Sequence, residues 1–299
     1  MTQPGSIKPL IPQGWLRALL FLIALCFVSG TAIVVYFFAR QNGGNPGITA
    51  LQNLMKGNNL LSIALIIFIL CIAQIFVFRR WIDRKSLSSL GFEIRGHRGE
   101  AIAGAMLATF IVCSACLLLK ATGHLRWMDI LFDSRALFIA FGSIVIISFC
   151  EELIFRGYIL NNLMESFPGW LALLISALLF TIFHGTGQSS IGFFSLANSL
   201  LMGLILGLNY IYTRNLWFSF SFHIAWKFLE GPVFGFSGDQ TFQTFLQPEL
   251  TGDINITGGA SGLEGSFVLT SVTLLSLIAL FLFLQRKFNL QFRPVPGRI

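Results

Sequence analysis

The stretch Ser148-Phe149-Cys150-Glu151-Glu152-Leu153-Ile154-Phe155-Arg156-Gly157 places three charged side chains inside an otherwise apolar segment. That segment, Ala136–Leu160, is long enough to cross a bilayer as one helix, which takes about 20 apolar residues. A charge near the bilayer centre costs at least about 2.5–3.5 kcal/mol on insertion scales. Because so costly a feature marks a functional site by default, the chemistry of the chain is sought here first.

The rest of the chain has the same apolar character. Of 299 residues, 55% are hydrophobic and only 11% are charged, whereas soluble domains carry roughly 25% charged residues. Composition therefore excludes a soluble enzyme, a disordered chain and a disulfide scaffold. The apolar runs are long and unbroken, unlike the short alternating strands of a membrane barrel. We predict an all-α, polytopic helical membrane protein with about eight transmembrane helices.

Eight apolar runs approach the length of a spanning helix, although the fifth and seventh are short. The first is too long for the apolar region of a signal peptide, so we interpret it as a retained helix. The predicted spans are Trp15–Phe38, Leu60–Phe78, Ala101–Leu119, Ala136–Leu160, Trp170–His184, Phe193–Tyr212, Leu216–Leu229 and Phe267–Leu284. Gly203 and Gly207 form a GxxxG motif in the sixth span, which favours close packing on a neighbouring helix of the same chain.

The basic residues predict the orientation of these spans. Thirteen Lys and Arg side chains fall on the side of the two termini and five on the other, so the positive-inside rule places both termini in the cytoplasm. The excess of basic residues behind the net charge of +7 therefore lies in the loops and serves as a topology signal. We see no basic stripe interleaved with aromatic residues, and nucleic acid is not an expected partner. The loop over residues 231–265 would then lie outside, as a lid or as a plain connector.

The spacing of the charges along the fourth span predicts different environments for the two glutamates. Glu152 and Arg156 lie four residues apart and share a helix face, so they can form an ion pair in the favourable acid-first order. Glu151 lies about 100° around the helix, on the face of Phe155. We expect one carboxylate held by the arginine and one left free. A free carboxylate suits a general base acting on water, but the cluster is equally compatible with an ion pair that only joins helices.

Two histidines and a lysine fall on later spans. His184 ends the fifth span, and at about 1.5 Å per residue its depth matches that of Glu151 to within roughly 6 Å. His223 and Lys227 lie four residues apart on the seventh span and share a face. In a chain with so few charges, these residues and the two glutamates predict a polar cavity within the helix bundle.

Three motifs in this order resemble those of the CPBP intramembrane protease family, which includes the type II CAAX prenyl endopeptidases and bacterial relatives linked to bacteriocin maturation and immunity. The resemblance covers roughly residues 136–228. The motifs are Glu151-Glu152-x-x-x-Arg156, Phe180-x-x-x-His184 and His223-x-x-x-Lys227. Each motif alone is weak, but three in order on successive predicted helices are specific.

The resemblance implies peptide-bond hydrolysis within or at the membrane. It implies that Glu151, with His184, activates the attacking water. It implies that His223 and the residue at position 227 stabilise the oxyanion. It also implies that Glu152 and Arg156 are needed for the local architecture.

The chain departs from the family pattern at Lys227, where the last motif normally ends in Asn or Asp. A lysine can donate hydrogen bonds and bring positive charge to an oxyanion, so activity is compatible with the change. It can also pair with Glu151 or Glu230 and lock the site. The alternative to a protease is therefore a catalytically impaired pseudo-protease, acting as a membrane binding or bacteriocin-immunity protein. A secondary transporter with a proton relay is a third hypothesis, disfavoured because the chain has no internal repeat.

We predict no cofactor, although a zinc site with one open position is compatible with Glu151, His184 and His223 as ligands. The HExxH pattern is absent, and water activation by glutamate and histidine needs no metal. Expected partners are membrane lipids and a membrane-associated peptide or prenylated protein substrate. The expected location is the plasma membrane of a bacterium. We divide the chain into N-terminal helices with a basic loop (1–135), a protease-like core (136–229), and an external loop with the last helix and a basic tail (230–299).

Overall fold

The computed structural model describes residues 8–41, 60–185, 192–236 and 244–288. Nearly all regular structure in these ranges is helical, with one short two-stranded sheet. In chain order the elements are α1 (Gly14–Gln41), α2 (Leu60–Val77), α3 (Arg98–Ala121), β1 (Leu125–Ile130), α4 (Ser134–Glu152), α5 (Gly169–Gly185), α6 (Phe193–Thr213), α7 (Trp217–Phe228), β2 (Leu246–Leu250), α8 (Ile254–Thr257) and α9 (Phe267–Phe288).

Each of the eight predicted apolar runs forms a helix, which confirms an all-α polytopic membrane protein. By length and composition, five described segments can cross a membrane, and two further apolar helices are shorter, Gly14–Val28 and Gly169–Gly185. The count of eight crossings therefore stays a prediction. The five longer segments are Leu65–Ile82, Arg98–Ala121, Ser134–Leu163, Phe193–Thr213 and Gly259–Phe288.

The outer faces of the helices are apolar, as a lipid environment requires. Ile69 of α2, Phe110 of α3 and Leu275 of α9 are among the exposed large hydrophobic side chains. The interior combines a hydrophobic core with buried polar groups, including several fully buried charges. The apolar outer surface agrees with a bilayer as the solvent, since exposed apolar patches of this extent are rare on soluble monomers.

Helix α4 carries the charged stretch and changes its winding there. It begins two residues before the predicted apolar run, because the Asp133 carboxylate caps its first turn by accepting from the backbone amides of Arg135 and Ala136. After Glu152 the chain continues as a π-helical segment, Leu153–Leu160, and ends with a short α-helical turn, Asn161–Leu163. Wider turns of this kind are frequent at functional sites.

Small residues bring the helices that surround α4 close together. A Cβ at Gly104 of α3 would lie 2.2 Å from the carbonyl oxygen of Phe218 on α7, so only glycine permits this approach. On α6, a Cβ at Gly203 would lie 3.1 Å from Ala177 of α5. The GxxxG motif therefore packs against another helix of the same chain, as predicted.

The segment after α7 is folded, which the sequence did not indicate. Strand β2 pairs antiparallel with β1, with Leu125 opposite Leu250. The Trp127 ring of β1 stacks on Phe234 with a centroid distance of 5.6 Å. Farther along, the carbonyl of Glu264 accepts a 2.7 Å hydrogen bond from the Asn198 amide of α6. The described part of the loop over residues 231–265 is thus more than a plain connector.

A buried ionic group, called the Asp83 cluster here, lies beside the π-helical segment and the turn Asn161–Leu163 that follow α4. The Asp83 carboxylate is fully buried and accepts from two guanidinium groups, at 3.2 and 2.8 Å, and from a tyrosine hydroxyl at 3.1 Å. These donors lie on α1, on the turn after α2 and on the π-helical segment of α4. The cluster consists of Arg17, Arg79, Asp83 and Tyr158, and it ties three parts of the chain together.

Candidate active site

Glu152 and Arg156 form the ion pair that their spacing predicts. Arg156 Nη1 donates to Glu152 Oε1 at 2.9 Å, and each side chain is only 1% exposed. A buried pair of this kind adds little net stability over apolar side chains, but removing one partner leaves an uncompensated buried charge. The pair therefore fixes the structure around the start of the π-helical segment.

Two further contacts hold the Arg156 guanidinium in place. Its Nη2 donates to the Gly203 carbonyl oxygen at 3.3 Å, a contact that depends on the close approach of α6 at this glycine. Its central carbon lies 4.3 Å from the centroid of the Phe180 ring, a cation–π distance. The sequence indicated Gly203 only as a packing residue, so its role as a hydrogen-bond acceptor was missed.

His223 joins the two glutamates. Its Nδ1 lies 2.7 Å from Glu152 Oε1, and its Nε2 lies 3.2 Å from Glu151 Oε2. An ionised carboxylate only accepts hydrogen bonds, so Nδ1 carries a proton and donates a hydrogen bond to Glu152. The ring is completely buried and its Nε2 is turned toward Glu151.

His184 approaches the same carboxylate from α5. Its Nδ1 donates to the Phe180 carbonyl oxygen at 3.2 Å, because a carbonyl only accepts. Its ring lies against the Phe180 ring, with centroids 4.0 Å apart. Its Nε2 then lies 3.4 Å from Glu151 Oε2. The prediction that His184 and Glu151 share a depth is confirmed by this distance.

Lys227 completes the site on the other side of Glu151. Its Nζ lies 3.3 Å from Oε1 and 3.2 Å from Oε2 of Glu151. The expectation that Glu151 is left free is therefore wrong: its carboxylate contacts a lysine and two histidines. Among the described residues of its own helix, no side chain forms an ion pair with Glu151, as its position indicated, but three side chains reach it from α5 and α7.

Exposure varies across the site in a way that defines its accessible side. The side chains of Glu152, Arg156 and His223 are at most 1% exposed. Those of Lys227, His184 and Glu151 are 29%, 17% and 11% exposed. The more exposed side of the site is therefore formed by Lys227, His184 and Glu151, whereas the other three groups are buried.

The site also offers a donor set for a metal ion. One atom each from Glu151, His184 and His223 lies within 4.8 Å of the others. In both histidines Nε2 is turned toward the Glu151 carboxylate, whereas Nδ1 donates a hydrogen bond, in His184 to the Phe180 carbonyl and in His223 to Glu152. This is the outer arrangement typical of metal-binding histidines. The residues fit a three-ligand zinc site, but the Lys227 ammonium shares the same carboxylate and would oppose a cation there.

All six residues predicted for the site are therefore gathered around Glu151 and Glu152. A comparison with known families matches the same helices. Residues 133–229 match the family model described as type II CAAX prenyl endopeptidase Rce1-like. The matched segment is similar to this family. It extends from the cap of α4 to the residue after α7 and so contains every residue of the site.

The family is one of proteases, so the match supports a CAAX-type intramembrane protease at the level of the family. Its apolar helices make it an integral membrane protein. The matched segment spans less than half of the chain and leaves out α1 to α3 and α9. No curated protein and no solved structure matches the chain.

Proposed function

We propose that this CAAX-type protease hydrolyses a peptide bond with a water molecule activated by Glu151. The observation that carries the proposal is the position of Glu151 Oε2, 3.4 Å from His184 Nε2 and 3.2 Å from His223 Nε2. A carboxylate between two oriented imidazoles is placed to accept a proton from water and to hold the water in position. Positioned bases of this kind contribute about 10²–10⁴-fold to a rate.

The steps use only groups of this chain, the water and the substrate. The water oxygen attacks the scissile carbonyl carbon while its proton passes to Glu151. The carbonyl oxygen becomes an oxyanion, which the ammonium of Lys227 and a protonated Nε2 of His223 stabilise. The C–N bond then breaks as Glu151 returns the proton to the leaving amine, giving a carboxylic acid and an amine.

Glu152 and Arg156 support this reaction without touching the substrate. Because the Glu152 carboxylate accepts from His223 Nδ1, it stabilises the imidazolium form that donates from Nε2. Arg156 holds the Glu152 carboxylate in place through their ion pair. In this role both are positioning residues, consistent with their burial behind the accessible side of the site.

The substrate that fits this site is a membrane-associated peptide or a prenylated protein. The site lies among helices whose outer faces are apolar, so a substrate reaches it most readily from the lipid or from the membrane surface. We propose that lipids surround the helices and that both termini are cytoplasmic, in the plasma membrane of a bacterium. The lysine and arginine distribution supports this orientation.

The deciding experiment measures cleavage of a fluorogenic peptide panel by the full chain in detergent and in lipid, beside Glu151→Ala. Loss of cleavage in the variant is expected. Equal cleavage by both forms would contradict the proposal. Cleavage is also measured with a chelator and with added zinc: we expect no dependence, whereas loss on chelation and recovery with zinc would assign Glu151, His184 and His223 as ligands.

The contact between Lys227 and Glu151 favours a second candidate, a pseudo-protease that binds a membrane partner with the same site. The ammonium contacts both carboxylate oxygens and so competes with water for the base. Lys227→Asn restores the residue typical of the family and separates the two candidates. If the wild type cleaves peptides and Lys227→Asn lowers that activity, the lysine takes part in catalysis. If the wild type is inactive and Lys227→Asn gains cleavage, the natural protein is a pseudo-protease.

A further inference from the structure

The contact of Lys227 with Glu151 has a consequence for substrate selection, which rests on the proposed function. The ammonium lies 3.2 and 3.3 Å from the two carboxylate oxygens, and the lysine is the most exposed side chain of the site. A scissile carbonyl that approaches a water held by Glu151 must pass this ammonium. The resting site is thus closed by its own lysine.

Moving the lysine away is costly unless its charge finds another partner. The ammonium is only partly exposed, and an unpaired charge in a low-dielectric site is strongly disfavoured. Among the described residues, Glu151 is the carboxylate that forms an ion pair with Lys227. The Glu230 carboxyl, one turn along, is buried and interacts electrostatically with both Glu264 and Lys227, but in the described part of the chain it forms no ion pair with the ammonium.

The new partner can come from the substrate. We infer that the site selects peptides that carry a carboxylate close to the scissile bond, and that this carboxylate draws Lys227 away from Glu151. The lysine stem is long and flexible, so a swing of the ammonium to a neighbouring anion needs no movement of α7. After the swing, Glu151 Oε2 still lies 3.4 and 3.2 Å from the two imidazole Nε2 atoms. Because an ammonium has three N–H donors, Lys227 can contact the substrate carboxylate and the oxyanion together.

The inference accounts for a lysine at a position where a neutral or acidic side chain is usual in the family. With Lys227 paired to Glu151, a neutral peptide meets an occupied base, and a basic peptide adds repulsion from the ammonium. An anionic peptide exchanges one carboxylate partner of the lysine for another. Charge-assisted hydrogen bonds are roughly twice as strong as neutral ones, so the anionic peptide is expected to be preferred.

Three labelled peptides of one apolar sequence test the inference and distinguish the source of the carboxylate. The first has a free C-terminus and no acidic side chain, the second has an amidated C-terminus and one aspartate, and the third is amidated and neutral. Binding to the full chain is measured by fluorescence anisotropy in lipid nanodiscs. At least one anionic peptide is expected to bind roughly fivefold or more tightly than the neutral peptide.

Lys227→Met is expected to abolish that preference and Lys227→Arg to keep it. Lys120→Met removes an exposed lysine at the end of α3 and serves as the control for net charge. If Lys227→Met does not fold, Lys227→Gln replaces it. Equal binding of the three peptides to the wild type would overturn the inference, and so would a preference that survives in the folded Lys227 variants.

Cleavage of the same peptides separates this inference from the proposed function. Cleavage that depends on Glu151 but shows no preference for anionic peptides, in binding or in rate, would overturn the selection rule and leave the protease intact. A preference in binding that is lost in Lys227→Met, with no cleavage of any peptide, would support recognition by Lys227 and contradict the protease.

Discussion

His223 Nδ1 and Glu152 Oε1 are joined by a 2.7 Å hydrogen bond that connects the structural ion pair to the reactive side of the site. The same carboxylate oxygen accepts from Arg156. Glu152 therefore orients a histidine with one hydrogen bond and is itself held by an arginine with another. Through this bond, a residue remote from the accessible side fixes the direction in which His223 Nε2 points.

Glu152→Gln is expected to destabilise the protein strongly. The amide keeps the shape of the carboxyl group but leaves the Arg156 charge uncompensated in a site that is 1% exposed. Breaking a buried pair by removing one partner typically costs about 3–5 kcal/mol. Thermal unfolding in detergent measures the loss, and Glu249→Gln, at an exposed position of β2, is the control.

The double variant Glu152→Gln/Arg156→Met tests the reason for that loss. Removing the second charge is expected to recover much of the stability lost in Glu152→Gln, because the uncompensated guanidinium is gone. If the stability loss of the double variant equals the sum of the losses in Glu152→Gln and Arg156→Met, the ion pair is not the source of the effect.

His184→Ala is expected to reduce cleavage by about 10²–10⁴-fold with little loss of stability. Its Nε2 faces Glu151, and its other hydrogen bond goes to a backbone carbonyl of its own helix. The measurement compares single-turnover cleavage with the melting temperature. The proposed role would be wrong if cleavage stayed within a few-fold of the wild type, or if activity and melting temperature fell together.

The parts of the site within one helix could be predicted from the sequence, and the parts between helices could not. The Glu152–Arg156 pair follows from helical spacing, since residues four apart share a face. The partners of Glu151 lie on α5 and α7, and their convergence depends on the order and tilt of those helices. Spacing could show that Glu151 has no local partner, but not which distant groups reach it.

Two further features lay beyond local patterns. The pairing of β1 with β2 joins segments far apart in the chain, and neither shows the alternation typical of a strand on its own. The Asp83 cluster gathers Arg17 and Arg79, which were interpreted only as part of an orientation signal. In both cases the deciding interactions are tertiary, and a sequence without its helix arrangement does not contain them.

Gly203→Ala is expected to weaken the packing of α6 on α5 and to disturb Arg156. The new Cβ would lie 3.1 Å from Ala177, and the Gly203 carbonyl accepts from the guanidinium. Overpacking of this kind costs about 1–3 kcal/mol. Gly99→Ala, in the first turn of α3, meets no atom within 4 Å and is the control. An unchanged melting temperature in Gly203→Ala would contradict the close approach.

The stability of the protein is expected to fall in acid through Glu165, which lies beyond the end of α4. Burial alone would raise the pKa of this carboxyl group, but its hydrogen bonds and ion pairs with Lys85 and Arg17 hold the pKa below its ordinary value of 4.5. A carboxylate whose pKa is depressed by folding stabilises the protein above its unfolded pKa, and this contribution is lost as the pH falls through the folded pKa. The melting temperature should therefore drop at pH values below about 4.5.

Glu165→Gln identifies the group responsible for this acid sensitivity. At neutral pH the variant is expected to be less stable than the wild type, because Lys85 and Arg17 lose a charged partner. Below the folded pKa of Glu165 the two proteins should converge, since the wild-type carboxyl group is then neutral as well. Melting temperatures measured between pH 3 and pH 7 test this convergence. Parallel curves across that range would assign the acid sensitivity to another carboxylate.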